Sequence, residues 1–230
     1  MLIIEVLAPK SGVRWKLFKQ QCSDMKLYLC TLVMFVCCST AMAQKPIVVI
    51  DPGHGGPDSG AIGTNGILEK DVVLEIAKQC LLLNQGLFQD SLEIYLTRYT
   101  DTLVSLGDRA RLAKALRADV FVSIHCNQAP NKKAQGFEIF LFHGQVNPKT
   151  TLMATYLGDQ LQHRLGIYDR GIKYANFQVL RDNHGHCPSL LLETGFISNA
   201  VEAEYTERTE NQCAIALAII ESLIKTFHYD

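Results

Sequence analysis

The chain of 230 residues has no excess of either charge: 22 lysines and arginines face 23 aspartates and glutamates, leaving a formal net charge of −1 at pH 7. Without a basic surplus there is no electrostatic hold on a phosphate backbone, so composition offers no nucleic-acid partner. The chain also lacks internal repeats and any Pro- or Gly-rich tract; its 7 prolines and 16 glycines stand at segment boundaries. That excludes a disordered chain and a repeat array. What remains, with 48% hydrophobic content, is one α/β domain with a sizeable core.

No apolar run reaches the ~20 residues that a membrane span needs. The longest one near the N-terminus, Leu27 to Val36, follows Lys26 and precedes Ala41-Met42-Ala43. A short apolar run behind a basic residue and ahead of an A-x-A pattern is a secretory signal. We therefore expect residues 25–43 to be removed by cleavage between Ala43 and Gln44, with Met25 the true start and residues 1–24 a spurious extension. A membrane anchor and a lipoprotein signal at Cys37 or Cys38 are the alternatives. Export implies a periplasmic or cell-envelope location and no transmembrane span in the mature protein. Cys80, Cys126, Cys187 and Cys213 remain after cleavage, and four cysteines permit three pairings between which sequence does not choose. Cys80 and Cys213 lie in apolar helical patterns and read as core residues.

From residue 44 onward the pattern alternates between the two periodicities. Ile47 to Ile50 reads as a buried strand, Val72 to Leu83 as a helix opened by Glu69-Lys70-Asp71, and Leu92 to Arg98 as a second strand. Ser105 and Asp108 form a capping box for a helix through Leu116. Asp119 to His125 has the continuous Val/Phe/Ile run of a strand covered on both faces, as in a parallel sheet. Gly136 to Phe142 reads as a fourth strand. A helix follows Pro148, with Leu152, Tyr156, Leu157 and Leu161 on one face. Phe177 to Leu180 and Ser189 to Glu193 supply two short strands. Thr209 to Phe227 is a last helix with Cys213, Leu217, Ile220 and Ile224 on its apolar side. Strands alternating with helices predict a single domain with a mostly parallel twisted sheet flanked by helices, spanning residues 44–230.

Ionisable groups stand at the ends of three of these strands. His54 follows Asp51-Pro52-Gly53, His125 ends the third strand, and Glu193 ends Leu190-Leu191-Leu192. Ligands of open α/β sheets bind beyond the carboxyl ends of strands, so the three groups can meet in one cleft. Two imidazoles and one carboxylate are the ligand set of a catalytic zinc site, with a fourth position for water. A second carboxylate would then move protons. Glu69 and Glu193 are both available, and spacing leaves open which one ligates. His184-Gly185-His186-Cys187 also resembles a metal-binding tract, with a substrate rim or an ordinary loop as the other readings. Cys126 beside His125 is either a thiol nucleophile or a packed core residue.

Asp51-Pro52-Gly53-His54-Gly55-Gly56, Gly66-x-x-Glu69-Lys70-Asp71, Ser123-Ile124-His125-Cys126-Asn127 and Leu192-Glu193-Thr194-Gly195-Phe196-Ile197-Ser198-Asn199 occur in that order. The set, with Thr97-Arg98, Asp101, Arg109 and Gly136-Phe137-Glu138, resembles the zinc-dependent N-acetylmuramoyl-L-alanine amidases of the Amidase_3 type over about residues 46–228. The resemblance implies hydrolysis of the amide between N-acetylmuramic acid and L-alanine in peptidoglycan. It implies zinc ligands at His54, Glu69 and His125, with Glu193 as the catalytic carboxylate. Asn127 is a candidate substrate contact. Regulated relatives carry a long inhibitory insertion for which His143 to Asn176 is too short, so an activator protein is not expected to be required. A zinc peptidase acting on stem peptides is the alternative activity, and a catalytically dead wall-binding protein the alternative outside enzymes.

Overall fold

Runs of β-branched, leucine and aromatic residues bounded by Gly, Pro and Asn build six strands: β1 (Ile47–Pro52), β2 (Glu93–Leu96), β3 (Val120–Asn127), β4 (Phe137–Phe142), β5 (Asp169–Ala175) and β6 (Ser189–Phe196). The computed structural model describes residues 20, 21, 23–26, 28, 44–144 and 147–228. The chain divides into two compact units, Met1–Gln44 and Lys45–Asp230. In the first, the described positions between 20 and 28 are helical, and most of the expected signal segment lies outside the described residues. Among the described residues, no helix is long and apolar enough to cross a membrane.

In the second unit the strands are connected by α1 (Glu69–Leu87), α2 (Leu106–Leu116), α3 (Pro148–Asp159), α4 (Gln178–Asn183), α5 (Ala200–Glu207) and α6 (Thr209–His228). The sheet order is β2-β1-β3-β6-β4-β5. β2, β1, β3 and β6 are parallel, β4 is antiparallel to β6, and β5 is parallel to β4. The expected α/β fold with a mostly parallel sheet is the observed one. Ser105 caps α2 by accepting from the Asp108 N–H, as its sequence predicts.

Alternation along each strand sorts side chains onto two faces. Val48, Ile50, Val122, Ile124, Ile139 and Leu192 point toward α1, α3 and α6 and are fully or almost fully buried. Val49, Phe121 and Leu191 point the other way, against Ala113 of α2 and Val179 and Leu180 of α4. Asp51, Ser123, His125 and Glu193 continue this second face toward the carboxyl ends, by the same parity. An apolar floor is thus extended by a polar one along the same strands.

Some sequence expectations are corrected. Phe177 to Leu180 is not a strand: Phe177 precedes helix α4, and the strand lies earlier, at Asp169–Ala175. A short apolar run carries no decisive period, and the neighbouring loop length allowed either assignment. Helix α5 was not anticipated. The buried face of α6 is centred on Ile215, Ile219, Ile220 and Leu223, with Cys213, Leu217 and Ile224 only partly covered. In α3, Met153, Ala154, Leu157 and the following Leu161 are buried, while Leu152 and Tyr156 are half-exposed. Cys80, Cys126, Cys187 and Cys213 are all free thiols.

Leu192 has no exposed surface in a central strand, so Leu192→Ala removes methyl groups from a packed layer. It is expected to lower unfolding free energy by about 2–5 kcal/mol in urea titrations, and a loss below 0.5 kcal/mol would contradict this packing.

Candidate metal centre and active site

Parallel strands in register bring their carboxyl ends to one edge, and chemistry-bearing residues sit on three of them. β1 ends in Pro52, after which Gly53 and His54 turn sharply; His54 takes φ 58°, and Gly55 and Gly56 take 123° and 59°. A left-handed non-glycine residue is strained and persists only when its surroundings hold it. Here two buried arginines do so. Arg109 donates to the carbonyls of Pro52 and His54 at 2.8 and 2.7 Å and to Asp51 Oδ1 at 2.7 Å. Arg98 donates to the carbonyls of Pro52 and Gly53 at 3.0 and 2.7 Å. Asp51, 1% exposed, also accepts from Thr97 and Ser123. The turn is pinned through its backbone oxygens.

Glu69 opens α1 and is 3% exposed, far from the solvated carboxylate that a helix start ordinarily carries. Its Oε1 lies 3.0 Å from His54 Nε2 and 2.9 Å from His125 Nδ1, and accepts from the Cys126 N–H at 3.0 Å. Its Oε2 accepts from the Ala61 N–H at 2.8 Å. On the outer side of His54, Nδ1 lies 2.8 Å from Asp58 Oδ2. That contact fixes which imidazole nitrogen faces the cleft, the usual outer support of a ligating histidine.

The ligand atoms of His54, Glu69 and His125 lie within 4.8 Å of one another. Ligands held at 2.0–2.2 Å from a tetrahedral zinc stand roughly 3.4 Å apart; Glu69 Oε1 is slightly closer than that to both nitrogens, at 3.0 and 2.9 Å, so modest side-chain adjustment suffices and the donor set fits a divalent cation. Among the described residues, no other His, Cys, Asp or Glu group brings its ligand atoms together in this way. The imidazoles are 23% and 20% exposed, so the centre is partly open to solvent.

Charge is tuned around this triangle. Burial alone pushes His54 down, but hydrogen bonds and charge from Glu69 and Asp58 outweigh it and lift its pKa to about 8. Burial likewise lifts Glu69, yet the two imidazoles more than offset it and hold the carboxyl well below the usual range. Glu193 differs. It is the register partner of His125 across β3 and β6, its Oε2 is buried and accepts no hydrogen bond among the described residues, and burial pushes its pKa up to about 7. A carboxyl poised there can both take and return a proton near neutral pH. The β3/β6 register slips just past this pair, a bulge of the kind common beside active sites. Burial also raises the Cys126 thiol far above its ordinary range, which suits a packed residue and not a nucleophile.

The structure thus brings together His54, Glu69, His125 and Glu193. Asn127 stands farther along β3, donating to Glu138 Oε2 at 2.9 Å and accepting from the Gln128 N–H at 2.9 Å. His184, His186 and Cys187 do not join them: they precede the start of β6, the end opposite Glu193, where they line a cavity of about 430 Å³ with Phe142, Asn147 and Pro148. Among the described residues, no second metal cluster forms there. Arg98 and Arg109 had no functional reading of their own in the sequence.

Residues 48–225 match Amidase_3, the N-acetylmuramoyl-L-alanine amidase family. The chain belongs to this amidase family. The N-acetylmuramoyl-L-alanine amidase LytC of Bacillus subtilis is 36% identical over 180 residues, covering 78% of this chain and 35% of LytC. The chain therefore spans about a third of that relative's length. The amidase AmiA of Escherichia coli is 33% identical over 232 aligned positions, covering 80% of this chain and 77% of AmiA. The solved catalytic domain of the amidase CwlV from Paenibacillus polymyxa superposes with a TM-score of 0.71 at 34% identity, covering 80% of this chain and 99% of that one.

Within this amidase fold, a Cβ at Gly53 would lie 2.2 Å from the His125 ring. Gly53→Ala is expected to displace that imidazole and weaken any divalent-metal binding by about tenfold or more in chelator-competition titrations. Gly86→Ala, in α1 where an added Cβ meets nothing within 4 Å, should leave metal binding unchanged and add about 0.5–1 kcal/mol of stability. Equal metal affinity in both variants would contradict the close packing of Gly53 on His125.

Proposed function

We propose that the protein is an exported, zinc-dependent N-acetylmuramoyl-L-alanine amidase, hydrolysing the amide that joins the lactyl group of N-acetylmuramic acid to L-alanine in peptidoglycan. The observation that carries this reading is the convergence of His54, Glu69 and His125, with Glu193 beside them, in a chain of this family. His54, Glu69 and His125 would hold the ion. A bound zinc supplies a Lewis acid for the amide carbonyl and makes water a competent nucleophile near pH 7.

The chain's own residues account for the proton traffic. Glu193 Oε2 takes a proton from the attacking water as the water oxygen bonds to the lactyl carbonyl carbon. Glu193 then gives that proton to the amide nitrogen as the C–N bond breaks, releasing a lactyl carboxylate and a free L-alanine amine. Its buried, otherwise unengaged oxygen is available for this role, and its raised pKa suits both halves of the transfer. Glu69, held as the anion between two imidazoles, is a ligand and not a shuttle. Asp58 and the two arginines act earlier, by fixing His54 in place.

The site works without an activator in this reading. The alignment with AmiA extends over 232 positions yet uses 80% of this 230-residue chain, so AmiA carries several dozen residues with no counterpart here. Between β4 and α4 the described residues hold α3, its π-helical end at Gln160–Arg164, and β5. The signal at residues 25–43 would deliver the mature protein, from Gln44 onward, to the wall in the periplasm or cell envelope.

Mass spectrometry of sacculi digested by the mature protein is expected to find new lactyl carboxylates and peptides beginning with free L-alanine, with no partner protein added. Cleavage inside the stem peptide would instead make it a zinc peptidase, and activity only with an added partner would refute the open-site reading. Glu193→Ala is expected to lower kcat by at least about 10²–10⁴-fold with zinc content unchanged. His54→Ala and His125→Ala should lose zinc as well as activity. Equal zinc loss in all three, measured by atomic absorption, would make Glu193 a ligand and overturn the division of roles.

A further inference from the structure

The second face of the sheet carries an ionic group that the mechanism above does not use. Glu138, 4% exposed on β4, is the register partner of Glu193 on β6, as Glu193 is of His125 on β3. Paired residues of neighbouring strands share a face, so His125, Glu193 and Glu138 form a row across three strands. The row continues onto β5. Arg170 Nε and Lys173 Nζ each donate to Glu138 Oε1 at 2.5 Å, and Asn127 Nδ2 holds Glu138 Oε2 at 2.9 Å. Glu138 is fully engaged, whereas its two cations are not. Lys173, 38% exposed, donates one of its three protons to Glu138. Arg170, 33% exposed, uses Nε on Glu138 and Nη1 on the Gln135 carbonyl at 3.4 Å, and its guanidinium lies over the Phe196 ring. The nearby Glu202 is occupied by the backbone N–H groups of Gly136 and Phe196.

The direction of the reaction says what reaches this pair. In the proposed amidase reading, on which this inference rests, Glu193 protonates the departing nitrogen, so that nitrogen lies over β6 and the acyl side lies toward the His54, Glu69 and His125 triangle. The peptide then leads away over β4 and β5. From β6 to β5 is two strand spacings, roughly 10 Å, which about three extended residues span. The N-acetylated glycan offers no carboxylate once its lactyl group is amidated, whereas a peptide does. We infer that Lys173 and Arg170 form a carboxylate-binding subsite for the peptide side of the substrate, reading a free carboxylate within the first three residues after the scissile amide. Glu138 and Asn127 are positioning residues that aim the two cations.

The test uses two N-acetylmuramoyl tripeptides that differ only in whether their peptide carboxylates are free or converted to carboxamides. The wild-type enzyme is expected to have a KM about tenfold lower for the free acid, the worth of one charge-assisted hydrogen bond. Lys173→Gln and Arg170→Gln should each raise KM for the free acid toward that of the carboxamide, leave the carboxamide within about twofold, and keep zinc content. Lys173→Arg should retain the preference. Equal KM values for the two substrates in the wild type, or equal losses on both in the variants, would overturn the subsite and leave a purely structural ion group. Should a Gln variant not fold, the wild-type comparison alone decides. Absence of lactyl-amide cleavage in either substrate would refute the amidase reading itself, a different outcome from cleavage without discrimination.

Discussion

The structure turns on one carboxylate. Glu69 Oε1 stands about 3 Å from a nitrogen of each of two imidazoles that arrive from different strands, and an acid with almost no solvent contact is costly unless something pays for it. His54, His125, the Cys126 N–H and the Ala61 N–H do so in the protein alone, and a divalent cation would do so more strongly. The rest of the fold follows from keeping those partners in place. Parallel strands set His125 and Glu193 side by side, α1 begins at Glu69, and the turn after β1 is bent into a left-handed conformation to present His54. Gly60 belongs to the same constraint, because a Cβ there would fall 2.6 Å from both Glu69 Oε2 and the His54 ring.

Around that carboxylate the protein accepts local costs that a purely structural domain would avoid. His54 is strained at φ 58°, Glu193 Oε2 is buried without a hydrogen bond among the described residues, and two arginines are sunk beneath the turn at 3% and 2% exposure. The apolar layers on both sides of the sheet supply the stability that makes these departures tolerable. The division of labour proposed for the two glutamates has the same origin. Glu69 sits between cation-forming groups and is held ionised, whereas Glu193 sits among other acids with one oxygen dry, and burial lifts its pKa. In the proposed mechanism, environment and not residue type separates ligand from proton carrier.

Much of this was legible in the sequence, for identifiable reasons. Strands β1, β3, β4 and β6 are dominated by apolar β-formers, broken only by single polar residues such as Ser123 and Glu138 before their chemistry-bearing ends, and α1, α2 and α6 carry strong 3.6-residue periods, so their existence and order could be read directly. β5 could not: as an edge strand it contains Arg170, Gly171 and Lys173, and one of its sides is largely exposed. The apolar face of α6 was misplaced because the helix packs toward both α1 and α3, which widens the buried stripe beyond a single ridge. At the site, His54, His125 and Glu193 were legible as ends of buried strands, whereas spacing left open whether Glu69 or Glu193 ligates and only the family resemblance implied Glu69. Arg98 and Arg109 were opaque for a different reason. Their partners are backbone carbonyls, and no residue pattern records where a carbonyl points.

The most direct test of the central claim is an anomalous difference map at the zinc edge from crystals of the protein grown with zinc. A single strong peak about 2.0–2.2 Å from His54 Nε2, His125 Nδ1 and a Glu69 carboxylate oxygen, with Glu193 outside the coordination shell, is the expected result. A peak ligated by Glu193 in place of Glu69, or one among His184, His186 and Cys187 with the triangle empty, would contradict the account.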